Sequence, residues 1–290
     1  MILITGATGN YGKASIDSLL RKGVSSSNIV ALVRDEEKAA DLKSKGVEVR
    51  VGDYNNYEQL VNAFKGIDKL LLISGSDLVN RDQQHQNVIE AAKEAGVKHI
   101  VYTSFERKNE TETSPIAFVA ASHITTENLI KSSGMHYTIL RNNLYMDLLP
   151  WFFGEKVMET GVFLPAGDTK AAFALRDDMA EATANIMMTE GHENKVYNFS
   201  NTENVSIGEM ATSLSEIAGK EVTYTSPSTE VYIETLTKAN VPADYVGMFA
   251  GFSTAINQGE FTVENSDLEN ILGRKPTSAK QFLSMVYASK

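Results

Sequence analysis

Short β-branched runs alternate along the first half of the chain with stretches whose apolar residues return every three or four positions. The runs at 2–5, 29–33, 47–51, 69–73, 99–103 and 137–140 predict strands. Between them, Ile16, Leu19 and Leu20, and then Leu60, Val61 and Phe64, keep the spacing of one helix face. The segment VIEAAKEAG, 88–96, ends in a glycine suited to closing a helix. Strict β-α alternation with right-handed crossovers builds a parallel sheet covered by helices on both faces. Residues 1–150 are therefore expected to form a doubly wound α/β domain of the Rossmann type.

From about residue 150 the rhythm changes. LYMDLLPWFFGEKVMETG reads as one strongly apolar helical stretch, and GVFLPAG as a short returning strand. Helices are expected at 177–190, 206–218, 230–240 and 244–257, strands at 196–199 and 222–225, and two closing helices near 267–272 and 279–287. Residues 151–290 are expected to form a smaller α+β region over the strand ends of the first, where open α/β sheets bind ligands. Its strands are free to return to the main sheet.

Composition narrows the setting. The 290 residues include no cysteine, which excludes disulfides, thiolate nucleophiles and thiolate metal sites. No apolar run reaches the length of about 18 residues that a membrane span needs. The opening MILITG shows no basic stretch followed by an apolar segment, so no signal peptide is expected and the cytoplasm is favoured. Residues 1–150 carry 17 Lys+Arg against 18 Asp+Glu, and residues 151–290 carry 10 against 19, so the net charge of −10 lies almost wholly in the second half. No basic stripe is present, and a nucleic-acid partner is not expected.

One stretch carries candidate chemistry. ITGATGNYGKA places Gly6, Gly9 and Gly12 at even spacing where the first strand turns into the first helix. The first glycine permits a sharp turn, the second lets a pyrophosphate approach the main chain, and the third lets helix and strand pack closely. Exposed N–H groups and the positive end of the helix attract phosphate. Position strengthens a weak motif into a dinucleotide site. The second strand then selects the cofactor: IVALVRDEEK ends in Arg34, 22 residues after Gly12. An acidic residue here would take a ribose 2′-hydroxyl, whereas a guanidinium suits a 2′-phosphate. NADP(H) is expected, with Arg34 as a plain surface charge the alternative.

At this point the chain resembles a known group. GATGNYG, the arginine after strand two, VGDYNN, LLLISGS, HIVYTS, HYTILRNNLY and GHENKVYNFSN are together similar to the NmrA-like branch of the atypical short-chain dehydrogenases. Within it they resemble the NADPH-dependent quinone oxidoreductase and triphenylmethane reductase subgroup. The resemblance spans nearly the whole chain and is more specific for fold and cofactor than for substrate. It implies that Gly6, Thr8, Gly9, Asn10, Tyr11, Gly12 and Arg34 hold the adenosine and phosphates, with Asp53 and Tyr54 near the adenine. Ser74, Gly75 and Ser76 would line the ribose and pyrophosphate path. Thr103, Ser104 and the turn of Arg141, Asn142, Asn143 and Leu144 would approach the nicotinamide.

One departure matters. Ordinary short-chain dehydrogenases use a tyrosine with a lysine four residues on, but SPIAFVAASHITTENLIKSSG contains no tyrosine. His123 and Glu127 stand at the expected place on one helix face; the same substitution is typical of the subgroup. They read either as a structural pair or as a proton donor at His123. Without the tyrosine, an unactivated ketone is a poor acceptor, because alkoxide is costly to form. A quinone delocalises charge, and a carbocationic dye becomes neutral, so positioning and water exclusion suffice.

The 144–153 segment, with Tyr145, Trp151, Phe152 and Phe153, reads as a flat hydrophobic wall or as helix core. ERKNETETS reads as a lid or as an inert loop. Asn143 and Tyr145 are candidates for orienting an aromatic acceptor, the alternative for the asparagines being turn-forming. The histidines show no metal spacing, and neither a hydrolase elbow nor a P-loop occurs. The expected activity is NADPH-dependent hydride transfer to a small aromatic acceptor; the competing reading is a non-catalytic, NADP(H)-binding redox sensor of the NmrA type. Homo-oligomer formation is left open.

Overall fold

The computed structural model describes residues 1–288. Strand β1 (Ile2–Ile4) runs into helix α1 (Asn10–Arg21), followed by β2 (Ile29–Val33), a short α2 (Ala40–Ser44), β3 (Glu48–Val51) and α3 (Tyr57–Phe64). Then come β4 (Lys69–Leu72), α4 (Arg81–Glu94), β5 (His99–Phe105), α5 (Ala117–Ser132) and β6 (His136–Asn142). The second half contains α6 (Leu149–Phe153), α7 (Val157–Thr160), β7 (Val162–Phe163), β8 (Lys170–Ala171), α8 (Arg176–Met188) and β9 (Lys195–Phe199). It continues with β10 (Val205–Ser206), α9 (Ile207–Ala218), β11 (Tyr224–Thr225), α10 (Thr229–Lys238), α11 (Ala243–Asn257), α12 (Leu268–Leu272) and α13 (Ala279–Tyr287).

Seven strands form one sheet in the order β3-β2-β1-β4-β5-β6-β9, every neighbouring pair parallel. This is the doubly wound, Rossmann-type α/β architecture. Strand β2 shows why the sheet must be covered on both sides, since all five of its residues are buried. Ala31 and Val33 join one core with Ile4, Leu71 and Leu140 under Ile16 and Leu19 of α1 and Met179 and Ile186 of α8. Val30 and Leu32 join the other with Leu70, Ile100 and Tyr102 under Phe64 of α3, Val88 of α4 and Ile130 of α5. Reversal of strand order between β1 and β4 opens a crevice at their carboxyl ends.

Beyond β6 the chain builds a third core around Leu149, Phe153, Ile207, Leu214, Phe261 and Leu283, with two small sheets, β10–β8 and β11–β7. It also re-enters the first layer, where β9 extends the main sheet beside β6. The apolar stretch expected as one helix is instead broken. A 3₁₀ turn at Met146–Leu148 precedes α6, and Gly154 ends α6 in a left-handed conformation (φ +80°) before α7 begins. Pro150 in its first turn and Gly154 at its end confine α6 to five residues, and Leu149, Phe153 and Val157 from both sides of the break pack into the third core. Among the described residues, no helix is long and apolar enough to cross a membrane.

Helix α1 approaches the β1 turn closely. A Cβ built at Gly12 would lie 2.8 Å from Ala7 Cα and nearer still to the Gly6 carbonyl oxygen. Gly12→Ala is therefore expected to destabilise the fold by roughly 1–3 kcal/mol through overpacking. Gly247, inside α11, has nothing within 4 Å of the same position, so Gly247→Ala is expected to stabilise by up to about 1 kcal/mol through helix propensity. Urea denaturation of the two variants checks the opposite signs.

Candidate active site

Gly6 turns the chain out of β1 with φ +55°, a conformation that costs a glycine nothing. The Gly9 N–H donates to the Gly6 carbonyl at 2.9 Å and closes the turn. Gly9 then caps α1 in extended conformation without a side chain, and a Cβ there would meet only the Gly6 oxygen, at 3.2 Å. The side of Gly9 that any other residue would fill faces a cavity instead.

That cavity, about 420 Å³, gathers much of the expected nucleotide site. Gly6, Thr8 and Gly9 line it from the first turn, Arg34 from the end of β2, Asp53 and Tyr54 from beyond β3, and Ser74, Gly75 and Ser76 from beyond β4. Arg34 is exposed and forms no ion pair among the described residues. Its neighbour Asp35 is turned to its own chain, accepting the Glu37 N–H at 3.0 Å. Sequence reasoning did not single out Leu32, Val33, Gly52, Asn55, Ile73, Asp77 or Gln84, which also line the cavity. Asn55 lay inside the quoted VGDYNN run; Gln84 carries no local signal, because it arrives from α4.

The remaining expected residues do not line this cavity. Asn10 is exposed on the first turn of α1, and Gly12 is packed against Gly6. The buried Tyr11 hydroxyl lies 2.8 Å from Thr183 Oγ1, and its ring centroid 6.4 Å from that of Tyr145. Thr103 lies just beneath the cavity wall, its Oγ1 accepting the Ser74 N–H at 2.9 Å. Next to it, the Gly75 N–H donates to His85 Nε2 at 3.1 Å, and His85 Nδ1 lies 2.9 Å from Thr126 Oγ1. Accepting at Nε2 leaves the proton of a neutral ring on Nδ1, facing Thr126. Burial and the nearby Arg81 charge push this imidazole down to about 3.

At the ends of β5 and β6 the site is ionic and buried. Glu127 accepts from Ser104 Oγ at 2.6 Å, from Arg107 at 3.0 Å, and from Arg141 Nε and a terminal nitrogen at 3.1 and 2.7 Å. Burial raises its proton affinity, but the hydrogen bonds from Arg141, Arg107 and Ser104 outweigh it and hold Glu127 at about 2. His123 and Glu127 share a helix face yet take different partners. His123 Nδ1 lies 2.7 Å from the Tyr102 hydroxyl and Nε2 3.4 Å from Arg81. Both ring nitrogens face protein, and burial followed by the Arg81 charge lowers its basicity strongly.

The asparagine turn divides its two amides. Asn143 Nδ2 donates to Glu106 at 2.8 Å and to the Phe261 carbonyl at 3.3 Å, while Oδ1 accepts the Leu144 N–H. Asn142 Nδ2 donates to the Tyr145 hydroxyl at 3.1 Å, and its Oδ1 is buried without a partner. The Arg176 guanidinium lies over the Tyr145 ring at 5.2 Å.

The expected wall separates into parts. Leu144 and Phe153 are core, Trp151 is 63% exposed, and Phe152 meets Phe249 at 5.2 Å. A second aromatic row completes it: Phe252 contacts Phe105, Phe118 and Phe152, and Phe105 lies 5.8 Å from His123. Tyr245, Phe249 and Phe252 share one face of α11 at helical spacing, the signal that could have found them. The 106–114 loop is anchored, because Glu260 accepts the Lys108 and Asn109 N–H groups at 3.0 and 2.9 Å. Among the described residues, no cluster suited to a metal occurs.

Comparison with known proteins follows this geometry. Residues 1–283 match the NmrA-like family. Quinone oxidoreductase 2 of Escherichia coli is 38% identical over 288 residues, 99% of each chain. The crystal structure of a Citrobacter triphenylmethane reductase with NADP(H) superposes with a TM-score of 0.91 at 38% identity, covering 98% of this chain and 99% of that one. An NADPH-dependent quinone oxidoreductase from Escherichia coli, solved with NADPH, gives 0.90 at 36% identity over 99% and 100%.

The Glu127 cluster makes stability depend on pH. Its folded value of about 2 lies below the roughly 4.3 of an unfolded glutamate. The contribution is therefore present above about pH 4.3 and lost as pH falls toward 2. Glu127→Gln leaves the buried Arg107 with only the half-exposed Glu110, 3.0 Å away, as counter-charge, and a loss of about 3 kcal/mol at neutral pH, the low end for breaking a buried pair, is expected. Denaturant melts across this pH range should show the acid-sensitive limb in the wild type and a weaker one in the variant.

Proposed function

The chain belongs to the NmrA-like family, and on that footing we propose that it passes hydride from NADPH directly to a quinone-like or similarly electrophilic aromatic acceptor. It is an NAD(P)H-dependent oxidoreductase, and NADP(H) is its cofactor. The observation that carries the cofactor side of this reading is the joining, in one cavity, of the bare Gly9 main chain and the unpaired Arg34 guanidinium. A diphosphate needs the first and a 2′-phosphate the second.

The cavity fits the adenosine and diphosphate portion of such a cofactor. Gly6, Thr8 and Gly9 offer main-chain donors at the positive end of α1. Arg34 would bind the 2′-phosphate through paired donors; Asp53 and Tyr54 would border the adenine, and the 74–76 turn would border the ribose and diphosphate. His85 and Thr103 hold that turn from beneath. When bound, the cofactor supplies hydride. Thr103, Arg141 and Asn142 shape the redox end, where the unpartnered Asn142 Oδ1 suits an amide N–H. Tyr145 and the Phe105–Phe249–Phe252 wall orient a flat apolar acceptor and exclude water. His123 and Asn143 act as positioning residues in this reading, since protein partners already occupy their polar atoms.

Two measurements test this reading. Fluorescence titration is expected to show tighter binding of NADPH than NADH, with Arg34→Ala erasing most of a difference of roughly 1.5–3 kcal/mol. Equal wild-type affinities would overturn the Arg34 assignment. Incubation with C4-deuterated NADPH and a carbocationic dye is expected to place deuterium in the new C–H bond of the reduced dye. Reduction without label rules out direct transfer, and no turnover across a panel of quinones and dyes favours a sensor.

A further inference from the structure

Without a tyrosine hydroxyl the reduction of a quinone is one proton short, and a buried carboxyl group, Glu106, stands at the end of β5. The ends of β2, β1, β4, β5 and β6 lie side by side, about 4.8 Å apart. With its 2′-phosphate at Arg34 beyond β2 and its diphosphate at the turn beyond β1, an extended dinucleotide crosses β4. Its redox end then falls over β5 and β6. Glu106 is the first residue beyond β5.

Its surroundings hold it there. The Glu106 N–H donates to the Asn142 carbonyl at 2.9 Å, tying it to the end of β6. The side chain is buried, and Oε2 accepts the Asn143 Nδ2–H at 2.8 Å. Oε1 accepts no hydrogen bond among the described residues and is not sealed from solvent. The Asn143 amide that holds Glu106 also donates to the Phe261 carbonyl at 3.3 Å, and the Phe261 ring lies 5.7 Å from Phe105 and 6.4 Å from Phe252, so Glu106 stands beside the aromatic residues.

We propose that Glu106 donates the proton that completes reduction of a quinone-like acceptor. The proposal rests on the reductase reading above. The acceptor takes a hydride, two electrons with one hydrogen nucleus, and one quinone oxygen gains negative charge. The Glu106 O–H bond breaks, its proton forms the new O–H bond of the hydroquinone, and water reprotonates the carboxylate. A carbocationic dye becomes neutral on taking hydride and needs no proton.

The charged groups facing Glu106 are Arg141 from β6, Lys108 from its own loop and Asp267 ahead of α12. Burial prevails over the Asn143 hydrogen bond and the two cations, raising the carboxyl to about 7. That value suits a donor near neutral pH. His123 is excluded from the task because both its nitrogens are engaged by Tyr102 and Arg81.

Glu106→Gln keeps an acceptor for Asn143 and removes only the transferable proton. With a quinone, the wild-type kcat is expected to fall as pH rises through about 7, when the donor form is lost. The variant should lose that limb and about 10²-fold or more in kcat, while its reduction of a carbocationic dye stays near the wild-type rate. A ¹³C NMR titration of the cofactor-free protein should show one carboxyl titrating near 7 that vanishes in Glu106→Gln. Equal losses with both acceptors would confine Glu106 to supporting the Asn143 turn and overturn the proposal, as would an unchanged pH limb. Wild-type protein that reduces neither acceptor defeats the reductase reading itself, a result distinct from either.

Discussion

Helix α1 reaches the end of β1 only because position 12 has no side chain. The Gly6 carbonyl and Ala7 Cα occupy the space that any Cβ would need, so the helix start is pressed against the turn it leaves. That closeness aims the free N–H groups of the first helical turn across Gly9 into the crevice between β1 and β4. In the proposed reading, phosphate is recognised by main chain fixed by packing, which carries no side-chain entropy cost on binding. On the other side of α1, Ile16 and Leu19 share a core with Met179 and Ile186 of α8. The second half of the chain therefore presses the helix onto the turn, although it supplies no wall of the cavity.

The redox end is built on different physics. Three strand-end groups, Ser104, Arg107 and Arg141, converge on the single carboxylate of Glu127. Desolvating this cluster is expensive, and hydrophobic residues of similar volume could hold the helix equally well. What the cluster provides is direction: four hydrogen bonds fix α5 along the sheet, and with it His123, Tyr102 and the His85–Thr126 bond beneath Gly75. The nucleotide turn and the strand ends beyond it are linked through these buried imidazoles. Their depressed basicity keeps the link neutral at ordinary pH.

Much of this was legible in the sequence, and the exceptions share a cause. Strands buried on both faces announce themselves as β-branched runs, and Ile29–Val33 lies at the expected residues. That the glycine turn and Arg34 line one cavity was readable because both follow directly from neighbouring strands in the sequence. The apolar stretch after Leu144 was read as one helix because periodicity does not register a single glycine at φ +80°. Gln84 and Glu106 carry no local mark, and the helical spacing of Phe249 and Phe252 marks a face without showing what it meets. Each acquires a role from a residue far along the chain: Glu106 from Asn143, Phe252 from Phe105. The His123–Glu127 spacing was visible, but the partners that separate the two, Arg81 and Tyr102 against Arg107 and Arg141, were not.

The contrast between the two ends bears on how such a scaffold can change its acceptor. The proposed nucleotide cradle is main chain plus one exposed cation, and the constraints on it are steric, so most substitutions there are expected to weaken it. The aromatic wall is assembled from β5, α5, α6 and α11, and only its inner residues are core. Tyr245, Phe118 and Trp151 stay largely exposed at its rim. Replacing a rim residue costs little stability, because little area is buried there. Glu106 stands between these regimes: buried enough that its carboxyl is raised to about 7, yet outside the ion cluster that fixes α5. Acceptor shape can therefore be altered at the rim and proton supply at Glu106 while the Glu127 cluster and the Gly12 contact, on which the fold depends, remain untouched.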